Sequence, residues 1–189
     1  MTSILKVDTI QDTDGNNIIN ESGNTITIGA SGDTTNIIGT LQNDGAAVGG
    51  QNTPAFCAVK SSQTTGQGDA TWTKITYDTE LLDSDGTFAS SRFTPAVAGK
   101  YFISLNATAG TSNASSVNQA SIAIYKNGSE VDDNTAKVES EVELITNTIS
   151  AIVDLDTDDY IEGYIYIDKT TGTNRITSSQ LSGFKIIGA

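Results

Sequence analysis

The sequence predicts an all-β chain in which a thin N-terminal segment precedes a sandwich or jelly-roll domain. Three observations carry this. From position 55 onward, strand-like runs recur about every ten residues, and no stretch shows convincing helical period. Turn-forming pairs such as Asp85-Gly86 and Asn127-Gly128 separate these runs. The first fifty residues contain no aromatic side chain and break into short units between glycines.

The stretch FTPAVAGKYFISL, residues 93–105, organises the domain. Pro95 cannot donate to a ladder and belongs to the turn before a strand. Gly99 gives the backbone freedom to swing into that strand. Tyr101, Ile103 and Leu105 then point one way, and Phe102, Ser104 and Asn106 the other. Further strands are expected at 55–60, 71–77, 81–88 (around the Asp85-Gly86 turn), 120–126, 129–131, 147–154, 160–168 and 180–187. Asn127-Gly128 is the strongest short hairpin signal, because both central positions of a type I′ turn need positive φ. In YIEGYIYID, residues 160–168, Ile161, Ile165 and Ile167 share a face with Gly163, and that is the expected core face. Tyr160, Tyr164 and Tyr166 share the other face with Glu162.

The N-terminal fifty residues are a different material. NNIIN at 16–20, NTITIG at 24–29 and TNIIG at 35–39 carry two or three β-branched residues between turns. Such units become stable by stacking on neighbours or on copies of themselves; the alternative is an extended arm. The organisation expected is an anchor and short stalk at 1–44, a small polar linker at 45–54 ending in Pro54, and a globular domain at 55–189.

Composition narrows the chemistry. The chain has 189 residues, a net charge of −13 and no histidine. The acidic surface disfavours nucleic acid, whose phosphates need clustered Lys and Arg. Nothing at the N-terminus reads as a basic segment followed by an apolar run, and no apolar run approaches the roughly 20 residues that span a bilayer. Without histidine a Ser-His-Asp or Cys-His nucleophile cannot be built, nor a histidine zinc site. Cys57, the one cysteine, reads as a small buried hydrophobe. No catalytic residue, cofactor-binding residue or metal ligand stands out, and the chain is expected not to be an enzyme. Asp154, Asp156, Asp158 and Asp159 form the densest acidic cluster, but Asp159 and Ile165 occupy positions where a calcium loop needs Gly and Glu.

Taken together, several segments resemble the globular head of the complement and tumour-necrosis-factor superfamily. They are Ala55-Phe56, FTPAVAGKYFIS at 93–104, IYKNG at 124–128, AIVDLDTDDYI at 151–161 and SGFKI at 182–186. The resemblance spans about residues 55–189. It departs from the pattern at Asp158, where a glycine usually precedes the turn aspartate, here Asp159. It implies a ten-stranded antiparallel jelly roll that assembles as a homotrimer and binds other molecules. It also keeps open a calcium ion near the trimer axis. Residues 3–34 are similar instead to the leader of virion fibre proteins of tailed phages from marine bacteria.

These resemblances imply a structural fibre protein of a tailed-phage virion, a tail fibre whose outward jelly-roll knob binds the host surface, made in the host cytoplasm and carried on the particle. A capsid decoration or head fibre is the alternative, and a polysaccharide-degrading enzyme or a cellular adhesin stand behind it. The expected partners are copies of the chain, other virion proteins through the N-terminus, and a host receptor or glycan. Polar loops at 61–70, 110–119, 132–140 and 169–177 are the candidate contacts, with Gln67, Trp72, Asn113, Asn118, Thr173 and Asn174 as candidate residues. Trp72 lies opposite Ile75 and Tyr77, so it faces either a trimer seam or the surface, where it could stack on a sugar ring. Tyr160, Tyr164 and Tyr166 are the candidate trimer interface, since large polar-tipped rings suit interfaces.

Overall fold

The computed structural model describes residues 38–39, 42–43, 46–47 and 52–186. The chain divides into two units, Met1–Gly49 and Gly50–Ala189. In the first, β1 (Gln42–Asn43) pairs antiparallel with β2 (Ala46–Ala47). The short units expected at 16–20 and 24–29, and most of 35–39, lie outside the described residues.

The second unit is built of strands alone among the described residues. They are β3 (Ala55–Lys60), β4 (Thr64–Gln67), β5 (Thr73–Lys74), β6 (Thr79–Asp83), β7 (Phe88–Ala89) and β8 (Arg92–Phe93). The long strands follow: β9 (Gly99–Thr111), β10 (Val117–Lys126), β11 (Ser129–Val142), β12 (Leu144–Leu155), β13 (Ile161–Lys169) and β14 (Asn174–Lys185). One sheet runs β12-β9-β14-β3-β6, with β4 added on β14; the other runs β11-β10-β13-β8-β7, with β5 added on β13. Each main path holds five strands, matching the expected ten, and β4 and β5 are additional. The chain crosses between sheets from β9 to β10, β11 to β12, β12 to β13 and β13 to β14. This is the double-sheet, jelly-roll solution to burying two amphipathic sheets.

The core forms where the inward residues of the two sheets meet. Tyr101, Ile103 and Leu105 of β9 are fully buried, as the period-two pattern requires. Ile122 and Ile124 of β10 meet them from the other sheet, with Ile161, Ile165 and Ile167 of β13. Each such side chain stabilises the fold by roughly 1.5–3 kcal/mol. Phe56 stacks on Phe93 at 4.2 Å and on Phe88 at 5.4 Å, closing one end of the core. Asn127 and Gly128 adopt φ of 52° and 78° between β10 and β11, as the hairpin signal demands.

Several expected boundaries are corrected. Residues 132–140 are not a loop but part of the 14-residue β11. That strand pairs only with β10, so one edge and one face meet solvent and carry charge, as edge strands do. Ala136, Val138 and Val142 still pack on the core. The strand expected at 71–77 shrinks to Thr73–Lys74; its flanks hold β13 by single bonds, Ala70 N–H to Ile167 O at 2.9 Å and Ile75 N–H to Gly163 O at 2.8 Å. β14 begins at Asn174 rather than near 180, so the loop expected at 169–177 is only 170–173. The run expected at 81–88 is two strands, β6 and β7, hinged where the Asp83 carboxylate accepts from the Thr87 and Phe88 amides. Cys57 is half-buried and on the outer side of its sheet rather than in the core.

Candidate functional site

The domain has two ends and two outer faces, and the pairing register fixes what each presents. Ala55 pairs with Phe184, and Tyr101 with Lys185, so chain entry, chain exit and the start of β9 share one end. There Lys185 N–H donates to Pro54 O at 3.0 Å. Asn174 pairs with Thr111, which sets the 112–116 and 170–173 loops at the opposite end.

The middle of the outer face of the first sheet is uncharged for four rows, bounded by Lys100 opposite Asp154 at one end and by Arg175 beside Gly110 and Leu144 at the other. Ile152, Phe102 and Phe184 stand in one row across β12, β9 and β14. Ser150, Ser104, Ser182 and Cys57 form the next row, then Thr148, Asn106, Gln180 and Val59, then Thr146, Thr108 and Ser178. None of these side chains carries a charge, in a chain of net charge −13. Cross-strand hydroxyl pairs tie the rows together: Ser150 donates to Ser104 at 3.1 Å, and the Thr108 and Thr146 hydroxyls lie 2.9 Å apart. At the entry end the row turns apolar. Ile152 is 66% exposed and Phe184 37%, and Phe184 lies 5.4 Å from the Phe102 ring. A large apolar row, bordered on one side by three uncharged rows and on the other by the Lys100–Asp154 pair, has the composition of an interface core with a charged rim. The sequence shows Phe102 and Phe184, but not that the register brings them into one row with Ile152.

The outer face of the second sheet gathers polar-tipped rings. Tyr160, Tyr164, Tyr166, Tyr125 and Trp72 are all half-buried. Tyr125 and Tyr164 rings lie 4.2 Å apart; Trp72 lies 5.7 Å from Tyr166 and 6.3 Å from Tyr125. The Arg92 guanidinium sits 3.7 Å over the Tyr160 ring. Tyr160, Tyr164 and Tyr166, the candidate interface tyrosines, therefore each have a partner in their own chain. Beneath them Glu162, read from sequence as an outward residue, is buried at 3% exposure. Lys74 Nζ reaches it at 2.6 Å and Arg92 at 2.8 Å. Burial alone would raise the Glu162 carboxyl, but the hydrogen bonds and charges of Lys74 and Arg92 outweigh it and hold the group below its ordinary value.

The other sequence candidates fall at the loop end. Asn113 and Thr173 are exposed and adjacent: Ser112 N–H donates to Thr173 O, and Thr173 N–H to Ser112 Oγ, both at 2.9 Å. Asn113 Nδ2 donates to Thr171 Oγ1 at 2.9 Å. Asn118 is half-buried on β10, and Gln67 on β4 is half-buried opposite Asn174. Asn174 is corrected. Its side chain is fully buried, donating to Gly68 O at 3.0 Å and Ile167 O at 3.2 Å, so it ties loops together and does not face a receptor.

The acidic turn between β12 and β13 is organised by its own cation. Asp159 meets Lys126 Nζ at 2.7 Å and accepts from Asp156 N–H at 2.7 Å, and Asn127 Nδ2 donates to it as well. Asp158 does not take a left-handed φ, so the turn closes without the glycine of the resembling pattern. Among the described residues no group of three or more acidic or cysteine side chains is placed to hold a metal ion. The Lys126 hydrogen bond, with those from Asp156 and Asn127, depresses the Asp159 carboxyl from about 3.8 to about 2. A depressed carboxylate stabilises the fold above its unfolded value and loses that contribution as pH falls through its folded one. Asp159→Asn is thus expected to lower the thermal midpoint at pH 7, with the gap to the parent closing between about pH 4 and pH 2, as melts across that range will show.

No family model matches the chain, and no curated protein matches it. Among solved structures it is similar to the globular domain of zebrafish complement 1qA protein. The identity is 16%, the match covers 71% of this chain and 98% of that one, and the TM-score is 0.53. It is also similar to murine APRIL, at 11% identity, with 70% of this chain and 98% of that one covered and a TM-score of 0.49. With its two antiparallel sheets and interleaved crossings, the domain from Gly50 onward has the jelly-roll fold of the complement globular domain.

Proposed function

We propose that this chain is a structural fibre protein of a tailed-phage virion, a homotrimer whose N-terminus attaches to the particle and whose jelly roll stands outward as a host-contacting knob. It acts by binding and assembly, not catalysis. The observation that carries the reading is the polarity of the domain. The chain enters and leaves at one end, and the polar 112–116 and 170–173 loops stand at the other. A domain held from its entry end offers those loops to whatever the particle meets. The resemblance of residues 3–34 to phage fibre leaders supports the attachment end.

The trimer seam belongs to the largely uncharged face rather than to the tyrosines. Identical copies of an acidic chain repel wherever their charged faces meet. The face of β12, β9, β14 and β3 confines charge to its two ends, where Lys100 stands opposite Asp154 and Arg175 lies beside Gly110, and offers Phe102, Phe184 and Ile152 for burial. A tail location is our reading, and density placing the chain on the capsid would move the same build to a head fibre.

A chain beginning at Pro54 tests the attachment role. It is expected to stay folded, since the core formed by the described residues lies beyond that point, and to be missing from purified particles assembled in its presence. Incorporation at the full-length level would overturn the anchor assignment.

A further inference from the structure

We propose that the aromatic face of the second sheet, centred on Trp72, Tyr125, Tyr164 and Tyr166, binds an uncharged glycan by stacking on its pyranose rings. This rests on the reading of the domain as an outward knob that meets the host, and places a glycan contact on the side of the knob, apart from its loop end.

The chain sorts its aromatic side chains by chemistry. It has one tryptophan, six tyrosines and five phenylalanines. The tryptophan and four of the tyrosines lie half-exposed on this face. Every phenylalanine is elsewhere: Phe56, Phe88 and Phe93 in the core, Phe102 and Phe184 on the opposite outer face. Rings with a polar tip suit a ligand that presents both an apolar C–H face and a rim of hydroxyls, which is what a pyranose offers. A dry protein contact would take phenylalanine as readily, and the domain places phenylalanine on its other face.

The rings form one continuous surface, with separations of 4.2, 5.7 and 6.3 Å. Their floor is small: Ser121 and Ala123, opposite Tyr166 and Tyr164 in the register, are buried beneath them. The surface is also held in place before any ligand arrives. Glu162 binds Lys74 and Arg92, and Arg92 lies on Tyr160. Preorganised rings lose less entropy on binding.

Charge selects the ligand. Glu130 stands opposite Tyr125 and Asp133 opposite Ala123 in the pairing of β10 with β11, so the β11 rim is acidic and repels phosphate and uronate. Lys74 and Arg92, the cations bordering the rings, are both engaged by Glu162. A neutral hexose chain meets neither obstacle.

Trp72, being the chain's one tryptophan, reports on the site directly. The full chain is titrated with cellohexaose, mannohexaose and laminarihexaose while its emission is read, alongside adsorption of the same protein to host cells. The proposal expects a saturable change with at least one of the three. It expects that binding to weaken about tenfold or more in Tyr166→Ala, to persist in Tyr166→Phe, and to be unchanged in Asn113→Ala at the loop end. No saturable change with any of the three sugars overturns it, as does equal loss in Tyr166→Phe and Asn113→Ala. Adsorption to cells that persists without any sugar response sinks this site and leaves host contact standing. A sugar response without adsorption supports the site and removes the host-contact reading.

Discussion

Phe102→Asp is expected to turn the proposed trimer into monomers without unfolding the domain. Phe102 points away from its own core, between Ile152 and Phe184 in the outward row. In the proposed assembly each copy buries such a row, and each large apolar side chain is worth roughly 1.5–3 kcal/mol there. The substitution removes that gain three times around the axis. It also places three unpaired carboxylates in the seam, each costing several kcal/mol when desolvated. Association should therefore weaken by orders of magnitude, read as sedimentation mass. Circular dichroism should stay at the parent spectrum, because β9 keeps Tyr101, Ile103 and Leu105 inside. Lys137→Asp, on the charged edge strand β11, is the control that leaves the mass unchanged.

Gly183→Ala is expected to be the most damaging single methyl in the domain. Gly183 lies inside β14 and pairs with Ile103 on one side and Phe56 on the other. A Cβ there would stand 2.7 Å from Phe102 O, 2.7 Å from Ile103 Cδ1 and 2.9 Å from Phe56 Cε1. The backbone oxygen cannot rotate away, and Ile103 and Phe56 are fully buried in a packed core. Overpacking of this kind costs about 3 kcal/mol. Urea melts should show a lower midpoint at unchanged slope. Gly86→Ala is the comparison: its Cβ would meet nothing within 4 Å, and only its φ of 64° opposes the change, at about 1 kcal/mol.

Much of the fold was legible because burial on one face imposes a period of two. Tyr101, Ile103 and Leu105, and likewise Ile161, Ile165 and Ile167, alternate cleanly and proved to be the core. Asn127-Gly128 located a turn by its backbone chemistry. Strands with little apolar content were harder. Most of β11 is solvated, so its inward signal, Ala136, Val138 and Val142, is faint beside Asp132, Asp133, Glu139 and Glu141. The start of β14 reads as polar because Asn174 is buried by hydrogen bonds rather than by hydrophobicity.

The faces were less legible than the strands. Sequence shows which residues of one strand point outward together, but not what lies beside them. Tyr160, Tyr164 and Tyr166 were recognised as an outward set. Their neighbours Trp72, Tyr125 and Arg92 come from segments 35 or more residues away, through pairings of β5, β10 and β8 with β13. Glu162 was placed on the same face, yet its burial depends on Lys74 and Arg92 arriving over it. The row of Ile152, Phe102 and Phe184 needs three strands in register, which no local pattern records.

In the proposed assembly the largely uncharged face of β12, β9, β14 and β3 is covered by copies of the same chain. Sedimentation of the unmodified protein at micromolar concentration tests it most directly. The account predicts a single species of three chain masses, each 19.7 kDa, persisting on dilution. A stable species of one chain mass under the same conditions would contradict it.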